Sequence, residues 1–206
     1  MNIPTLPFRH VLLGAVSMLT VAFGLAANKP KPPDVVYVPT PQAVVDKMLE
    51  MAEVKTGDVV YDLGCGDGRI VVTAAKRYGV RAVGFDIDPQ RVKEARENAR
   101  ANGVEHLVRI EETDIFTLDL REASVITLYL LPALNVRLMS QLARMKPGSR
   151  IVSHNYDMQG AKPLQVQLVE LNPADTADIG FDEDLVHTVY KWVVPWVPDP
   201  VDAKKK

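Results

Sequence analysis

The run Asp62-Leu63-Gly64-Cys65-Gly66-Asp67-Gly68 restricts this chain more than any other part of it. Just before it, Asp58 to Leu63 is a short β-branched run with the character of a buried strand. Just after it, Arg69 to Tyr78 reads as a helix closed by Gly79. A strand that passes through glycines into a helix is the opening unit of a parallel α/β sheet. Glycines are needed where φ must be positive or where a ligand must touch the backbone. In an open α/β sheet the ligand crevice lies beyond the carboxyl ends of the central strands. The turn is therefore expected to face a nucleotide-like molecule.

The rest of the chain repeats the pattern. Thr40 is expected to cap a helix whose first residue is Pro41, with Val44, Val45, Met48, Leu49 and Ala52 on one face. Arg81 to Ile87 is a second strand. Asp88 and Pro89 then supply the cap and first residue of a helix that reaches Asn102-Gly103. His106 to Glu111 and Ser124 to Leu130 are the third and fourth strands. A helix from Ala133 to about Met145 and a Pro147-Gly148 turn lead into the fifth, Arg150 to His154. Leu164 to Leu171 and His187 to Val194 alternate like strands, with no helical pattern between them, and read as an antiparallel pair at the sheet edge. The expected fold is α/β: a three-layer sandwich about a seven-stranded, mostly parallel, Rossmann-like sheet with C-terminal antiparallel strands.

The chemistry of the turn selects among nucleotide-like ligands. The third glycine follows the second by two residues, not by the three of the dinucleotide fingerprint. Asp62 stands directly before the loop and Asp67 inside it, where a pyrophosphate would be repelled. A ligand with positive charge and no phosphate suits these acids, and S-adenosylmethionine has a sulfonium, an ammonium and no phosphate. Asp86 ends the second strand, 22 positions after Gly64, where a carboxylate can accept both ribose hydroxyls. Asp114 follows the third strand, where it can accept the adenine amino group, with Ile115 and Phe116 flanking the ring. A nucleotide-binding or dehydrogenase-like module is the competing reading. Cys65 has no base near it in sequence, so a nucleophilic role is rejected and its place is in the cofactor loop.

Composition sets the remaining limits. Hydrophobic residues make up 47% of the 206 and charged residues 24%, the balance of a globular domain. A formal net charge of -2 argues against a nucleic-acid partner. One cysteine permits no internal disulfide, and no Cys/His group has metal-ligand spacing. Residues 1–27 are a separate hydrophobic segment: Val11 to Ala27 carries no charge, and Arg9 precedes it. It reads as a membrane anchor or a signal peptide with Gly24 to Ala27 as cleavage site. Residues 28–36 form a Pro-rich linker, 37–198 the main domain and 199–206 a charged tail.

The run Val59 to Arg69, VVYDLGCGDGR, resembles the first motif of class I methyltransferases, and matching elements extend over about residues 37–194. Tyr37-Val38-Pro39-Thr40, Gly66 to Val71 and Leu131-Pro132 are similar to a narrower family of protein-lysine methyltransferases. That family includes the mitochondrial enzyme acting on the c-subunit of ATP synthase, and its members tend to carry a hydrophobic N-terminal segment. This chain has Cys65 where the family usually has serine and Asp86 where it usually has glutamate. Both changes preserve the cofactor chemistry. The resemblance implies Tyr37 and Thr40 over the methionine end of the cofactor, Asp62, Gly64, Gly66 and Gly68 under it, Asp86 at the ribose and Asp114 at the adenine.

The acceptor is expected where strands four and five end. Tyr129 can orient an amine, His154 can accept a proton or serve as a structural histidine, and Asn155 and Asp157 follow. The segment Tyr129-Leu130-Leu131-Pro132 differs from the Asn/Asp-Pro-Pro-aromatic segment usual in methylation of base amines. A methyl-acceptor protein, membrane proteins included, is the expected partner, with a lipid or quinone as the alternative. Lys29 and Lys31 after the apolar segment place the domain on the cytosolic side, or the matrix side of a mitochondrion. Export after cleavage is the alternative.

Overall fold

A computed structural model describes residues 32–172 and 185–199. The elements run α1 (Gln42–Met51), β1 (Val59–Leu63), α2 (Arg69–Tyr78), β2 (Arg81–Asp86), α3 (Pro89–Ala101), β3 (Val108–Glu112), a 3-10 turn (Ile115–Thr117), β4 (Val125–Leu128), α4 (Pro132–Leu142), β5 (Arg150–His154), β6 (Ala161–Lys162), β7 (Gln165–Glu170), β8 (Val186–Val193) and β9 (Val197–Pro198). Seven strands form one sheet in the order β3-β2-β1-β4-β5-β8-β7, and β6 pairs with β9 beside it. β8 is antiparallel to β5, and β7 is antiparallel to β8. So β7 runs with the parallel strands and β8 alone opposes them. Hairpin pairing of β7 with β8, expected from alternation, therefore carries one strand reversal into an otherwise parallel sheet.

Successive strand residues point to opposite faces, and the core divides accordingly. Val60, Ala82, Val125, Val152 and Val189 join residues of α1, α2 and α3 in one layer. Tyr61, Val83, Ile126, Ile151 and Trp192 join Leu138 and Leu142 of α4 in the other. The connection from β1 leads through α2 to β2 on one side, whereas β4 lies on the other side of β1. A crevice therefore opens at the carboxyl ends of β1 and β4.

Local chemistry explains most element ends, and several differ from the sequence expectation. Asp88 caps α3 by accepting from the Gln90 N–H at 2.8 Å. Thr40 does not cap α1: Pro41 is the cap residue, with no side-chain cap bond. Its carbonyl takes the N–H groups of Val44 and Val45. Thr40 instead accepts from Arg69 through its carbonyl at 2.9 Å, and its hydroxyl lies 3.3 Å from His154 Nδ1. β3 starts two residues late, because Leu107 and Val108 still donate to the Val104 carbonyl in a turn. α4 stops at Leu142, where the N–H groups of Arg144 and Met145 switch to carbonyls three residues back. The linker boundary also moves, since Val35 packs against the second core layer.

At the opposite, amino-terminal edge of the sheet, Asp58 joins three elements. It pairs with the Arg150 guanidinium at 2.6 Å and accepts from the Ser124 hydroxyl at 2.7 Å and from the Lys55 N–H at 2.9 Å. Burial pushes the Asp58 carboxyl up, but the bonds from Arg150, Ser124 and the Lys55 backbone outweigh it and hold the group below its usual value. Removing one partner of such a buried pair strands the other charge. We expect Asp58→Ala to cost about 3 kcal/mol near neutral pH in urea melts. The folded value lies below the unfolded one, so the stabilisation is complete above about pH 4 and disappears as pH falls through the folded value. The difference between variant and parent should therefore shrink in acid. A pH-independent difference would show that the ionised carboxylate is not what stabilises the junction.

Candidate active site

The crevice holds a cavity of about 570 Å³, within the size range of small-molecule sites. Its floor is the turn after β1. The N–H groups of Gly64 and Cys65 donate to the Phe85 carbonyl at 2.8 and 2.9 Å. Gly66 donates to the Asp86 carboxylate at 2.9 Å, and Asp88 donates to its other oxygen at 2.9 Å. This geometry needs left-handed backbone at Gly64 (φ 86°) and Gly66 (φ 53°). A Cβ on Gly66 would also stand 2.1 Å from the ring of Tyr37, so glycine is what lets Tyr37 lie over the turn. Gly68 serves differently from the expectation. A Cβ there would meet Ala95 Cβ at 2.8 Å, so this glycine brings α3 close rather than facing the cavity.

Three carboxylates enter the cavity from the expected strand ends: Asp62, Asp86 and Asp114. Asp62 is fully buried and accepts from Thr127 Oγ1 at 2.7 Å. Burial pushes its carboxyl up to about 7, against the Thr127 bond, and the charges of Asp86 and Asp67 push the same way. Burial also raises Asp86, although backbone N–H groups oppose it. Asp114 accepts from the Phe116 N–H at 3.0 Å and so starts the turn that carries Ile115 and Phe116 into the cavity wall. Asp67 is not a bare charge: Arg69 grips both its oxygens at 2.8–3.1 Å. The expected repulsion of a pyrophosphate by Asp67 is thereby weakened. Cys65 is buried beneath Gly84, and burial followed by Asp62 and Asp86 pushes its thiol well up, which leaves it unreactive.

Residues 33–40 form a strap over the cavity. Tyr37 has the Arg91 guanidinium 4.8 Å from its ring centre, and its hydroxyl is pushed up to about 12 by burial and then by Asp67. Thr40 ties the strap to Arg69 and His154. The expected linker therefore contributes Pro33, Asp34, Val35 and Val36 to the cavity wall.

The acceptor-end expectations are redistributed. Tyr129 lines the cavity. His154 does not. It is fully buried, its ring lies 3.9 Å from that of Tyr129, and its nitrogens face Thr40 at 3.3 Å and His187 at 2.8 Å. Burial and then His187 hold its value down to about 3, so it is a neutral support rather than a proton acceptor for a ligand. Asp157 is not among the lining residues, and Asn155 faces Thr188 on β8. Tyr156, between them, does line the cavity, with its ring 6.1 Å from that of Tyr129. Sequence offered no signal for it beyond adjacency, because a left-handed Asn155 (φ 57°) redirects the chain after β5.

The layered sheet with one reversed strand and the acid-lined glycine turn define a class I S-adenosylmethionine-dependent methyltransferase. The family model described as the ANTKMT methyltransferase domain matches residues 62–165, and the chain belongs to that family. A protein-lysine N-methyltransferase of Saccharolobus islandicus is 44% identical over 164 residues, spanning 79% of this chain and 95% of that protein. The lysine N-methyltransferase of Xenopus laevis that acts on the c-subunit of ATP synthase is 28% identical over 145 residues, 70% of this chain and 63% of that one. The crystal structure of an RNA methyltransferase from Salinibacter ruber with S-adenosyl-L-homocysteine has 46% identity and a TM-score of 0.66, covering 77% of this chain and 94% of that chain. The cofactor is S-adenosylmethionine, and the acids, the bare glycine backbone and the apolar Ile115–Phe116 wall fit its cations, its chain and its adenine.

The raised value of Asp62 makes binding pH-dependent. Its unfolded value is near 3.9, so between about pH 4 and 7 the folded protein binds the extra proton. The unliganded protein therefore loses stability as pH rises through that window. A cationic ligand favours the ionised carboxylate, so S-adenosylmethionine affinity should fall by up to about tenfold per pH unit below about 7. Asp62→Asn should raise the thermal midpoint at about pH 8 and weaken binding. Calorimetry and melting from about pH 5.5 to about 8 test both; pH-independent affinity removes Asp62 from contact with the cofactor.

Proposed function

We propose that the methyl acceptor is the side-chain amine of a protein lysine. The observation that carries this reading is the lining beyond β4 and β5, where Tyr129, Leu130, Leu131, Leu134 and Tyr156 meet the cavity. No lysine or histidine lines the cavity among the described residues, and its arginines, Arg69 and Arg91, are engaged by Asp67 and Glu94. A slender alkyl amine suits an apolar, aromatic passage, whereas a phosphodiester chain needs cations along its path. The net charge of -2 supports the same choice, as does the relative from Saccharolobus islandicus.

When bound, S-adenosylmethionine would supply a sulfonium methyl to the acceptor nitrogen, with a neutral thioether as the leaving group. A lysine amine, with a value of about 10.4 in water, must arrive unprotonated. The apolar passage disfavours the ammonium and so promotes proton loss to solvent on entry. Tyr129 orients the nitrogen, Tyr37 and the strap exclude water, and alignment is the main contribution of the protein. In this reading Asp86 holds the ribose, Asp114 the adenine amino group, and Asp62, Gly64 and Gly66 the methionine end.

Methyl-labelled S-adenosylmethionine should place label in the protein fraction of the native host, recoverable as methyl-lysine after hydrolysis. Label confined to RNA, as the name of the Salinibacter ruber relative would have it, or confined to lipid, would overturn the lysine reading.

The same proposal holds residues 1–27 as a retained anchor with the domain on the cytosolic or matrix side. These residues lie outside the described ones, among which no helix is long and apolar enough to cross a membrane. Support comes from the 17 uncharged residues Val11 to Ala27 and from Lys29 and Lys31. Intact-mass analysis of host membranes should recover the first 27 residues, and protease should spare the domain in sealed right-side-out spheroplasts or mitoplasts. A mature exported form beginning near Ala27 would overturn the anchor.

A further inference from the structure

α4 reaches the cavity through Leu134 and carries two buried polar side chains that bond to different walls. Gln141 Nε2 donates to the carbonyls of Ile115 at 3.2 Å and Leu118 at 2.9 Å. Four residues earlier on the helix, Arg137 places its guanidinium 3.6 Å from the ring centre of Phe116. Both contacts act on the wall that follows β3. Asn135, fully buried, acts on the other wall. Its Nδ2 donates to the carbonyls of Tyr156 at 3.3 Å and Asp157 at 3.1 Å. Ser153, also fully buried, donates to the same Tyr156 carbonyl at 2.6 Å. The chain between β5 and β6 has no helix to hold it, and Asn155 has turned it with a positive φ. Two buried side-chain donors thus set where the Tyr156 ring stands.

Because the adenine wall follows β3 while Tyr156 follows β5 at the other side of the crevice, the two sets of contacts serve different substrates. We propose that Asn135 is a positioning residue for the methyl acceptor: it fixes the Tyr156 backbone so that the Tyr156 ring, beside Tyr129, aligns the acceptor amine. The ring is an electron-rich face on which an alkylammonium product is also welcome. This rests on the acceptor end assigned above. Asn135 touches neither substrate and acts through Tyr156.

A double-mutant cycle on the full chain tests it. Asn135→Leu and Tyr156→Ala should each lower kcat/KM for the acceptor by roughly tenfold or more, the scale of one lost buried hydrogen bond. S-adenosylmethionine Kd, read by calorimetry, should stay within about twofold of the parent, since the adenine wall is held separately. The double variant should be no worse than Tyr156→Ala alone, because Asn135 has nothing left to position. Arg137→Ala should give the opposite split, with weaker cofactor binding and an unchanged acceptor KM. If Asn135→Leu does not fold, Ser153→Ala removes the companion bond to the same carbonyl and enters the cycle in its place. Additive losses, or cofactor Kd weakened in step with kcat/KM, would overturn the proposal. The acceptor used is the host fraction, protein or RNA, that the parent enzyme labels. Labelling of RNA would sink the lysine reading while the cycle still decided the role of Asn135.

Discussion

The Phe85 carbonyl and the Asp86 carboxylate together receive the N–H groups of Gly64, Cys65 and Gly66. These three bonds join the turn after β1 to the end of β2 and keep the backbone flat against the crevice. Everything at the site is placed relative to that turn. Tyr37 can lie over it because Gly66 has no side chain, and α3 can approach because Gly68 has none. Asp86 is therefore both a wall of the cavity and a support of its floor.

Charge in the crevice is handled in two ways. Asp67 is neutralised by Arg69, which also reaches the Thr40 carbonyl and so anchors the strap. Asp62 has a hydroxyl partner in Thr127 and no described cation, and burial works against its ionisation. A buried carboxyl with a raised value is a group whose charge is completed by a cationic ligand rather than by the protein. Preference for a cationic cofactor resides in that asymmetry more than in the number of acids.

Opposite walls of the cavity share one support. In one layer α2 packs on β1 and β2, α3 on β2 and β3, and α1 on β5, β7 and β8, while the other layer has α4 and irregular chain. Irregular chain lacks a regular ladder, so side chains supply part of its hydrogen bonding. Asn135, Gln141 and Ser153 supply them, which is why polar residues occur on the buried face of a core helix and strand.

Periodicity, caps and glycines made the parallel strands, the order of helices and the cofactor turn legible in the amino-acid sequence. Each is a local property, since alternation follows strand geometry and the Asp88-Pro89 pair can start only one kind of element. The acids at the ends of β1, β2 and β3 were legible for the same reason, because strand ends converge in any parallel sheet. Tertiary packing decided the rest. Thr40 faces His154, 114 positions away, instead of its own helix. His154 is sealed beneath Tyr129 by β8, and Tyr156 rather than Asp157 reaches the cavity because one left-handed residue turns the chain. Sequence determined which groups stand at strand ends, since that depends on neighbours along the chain. Which face each group presents beyond the sheet depended on partners far away in sequence, and those the fold alone brings together.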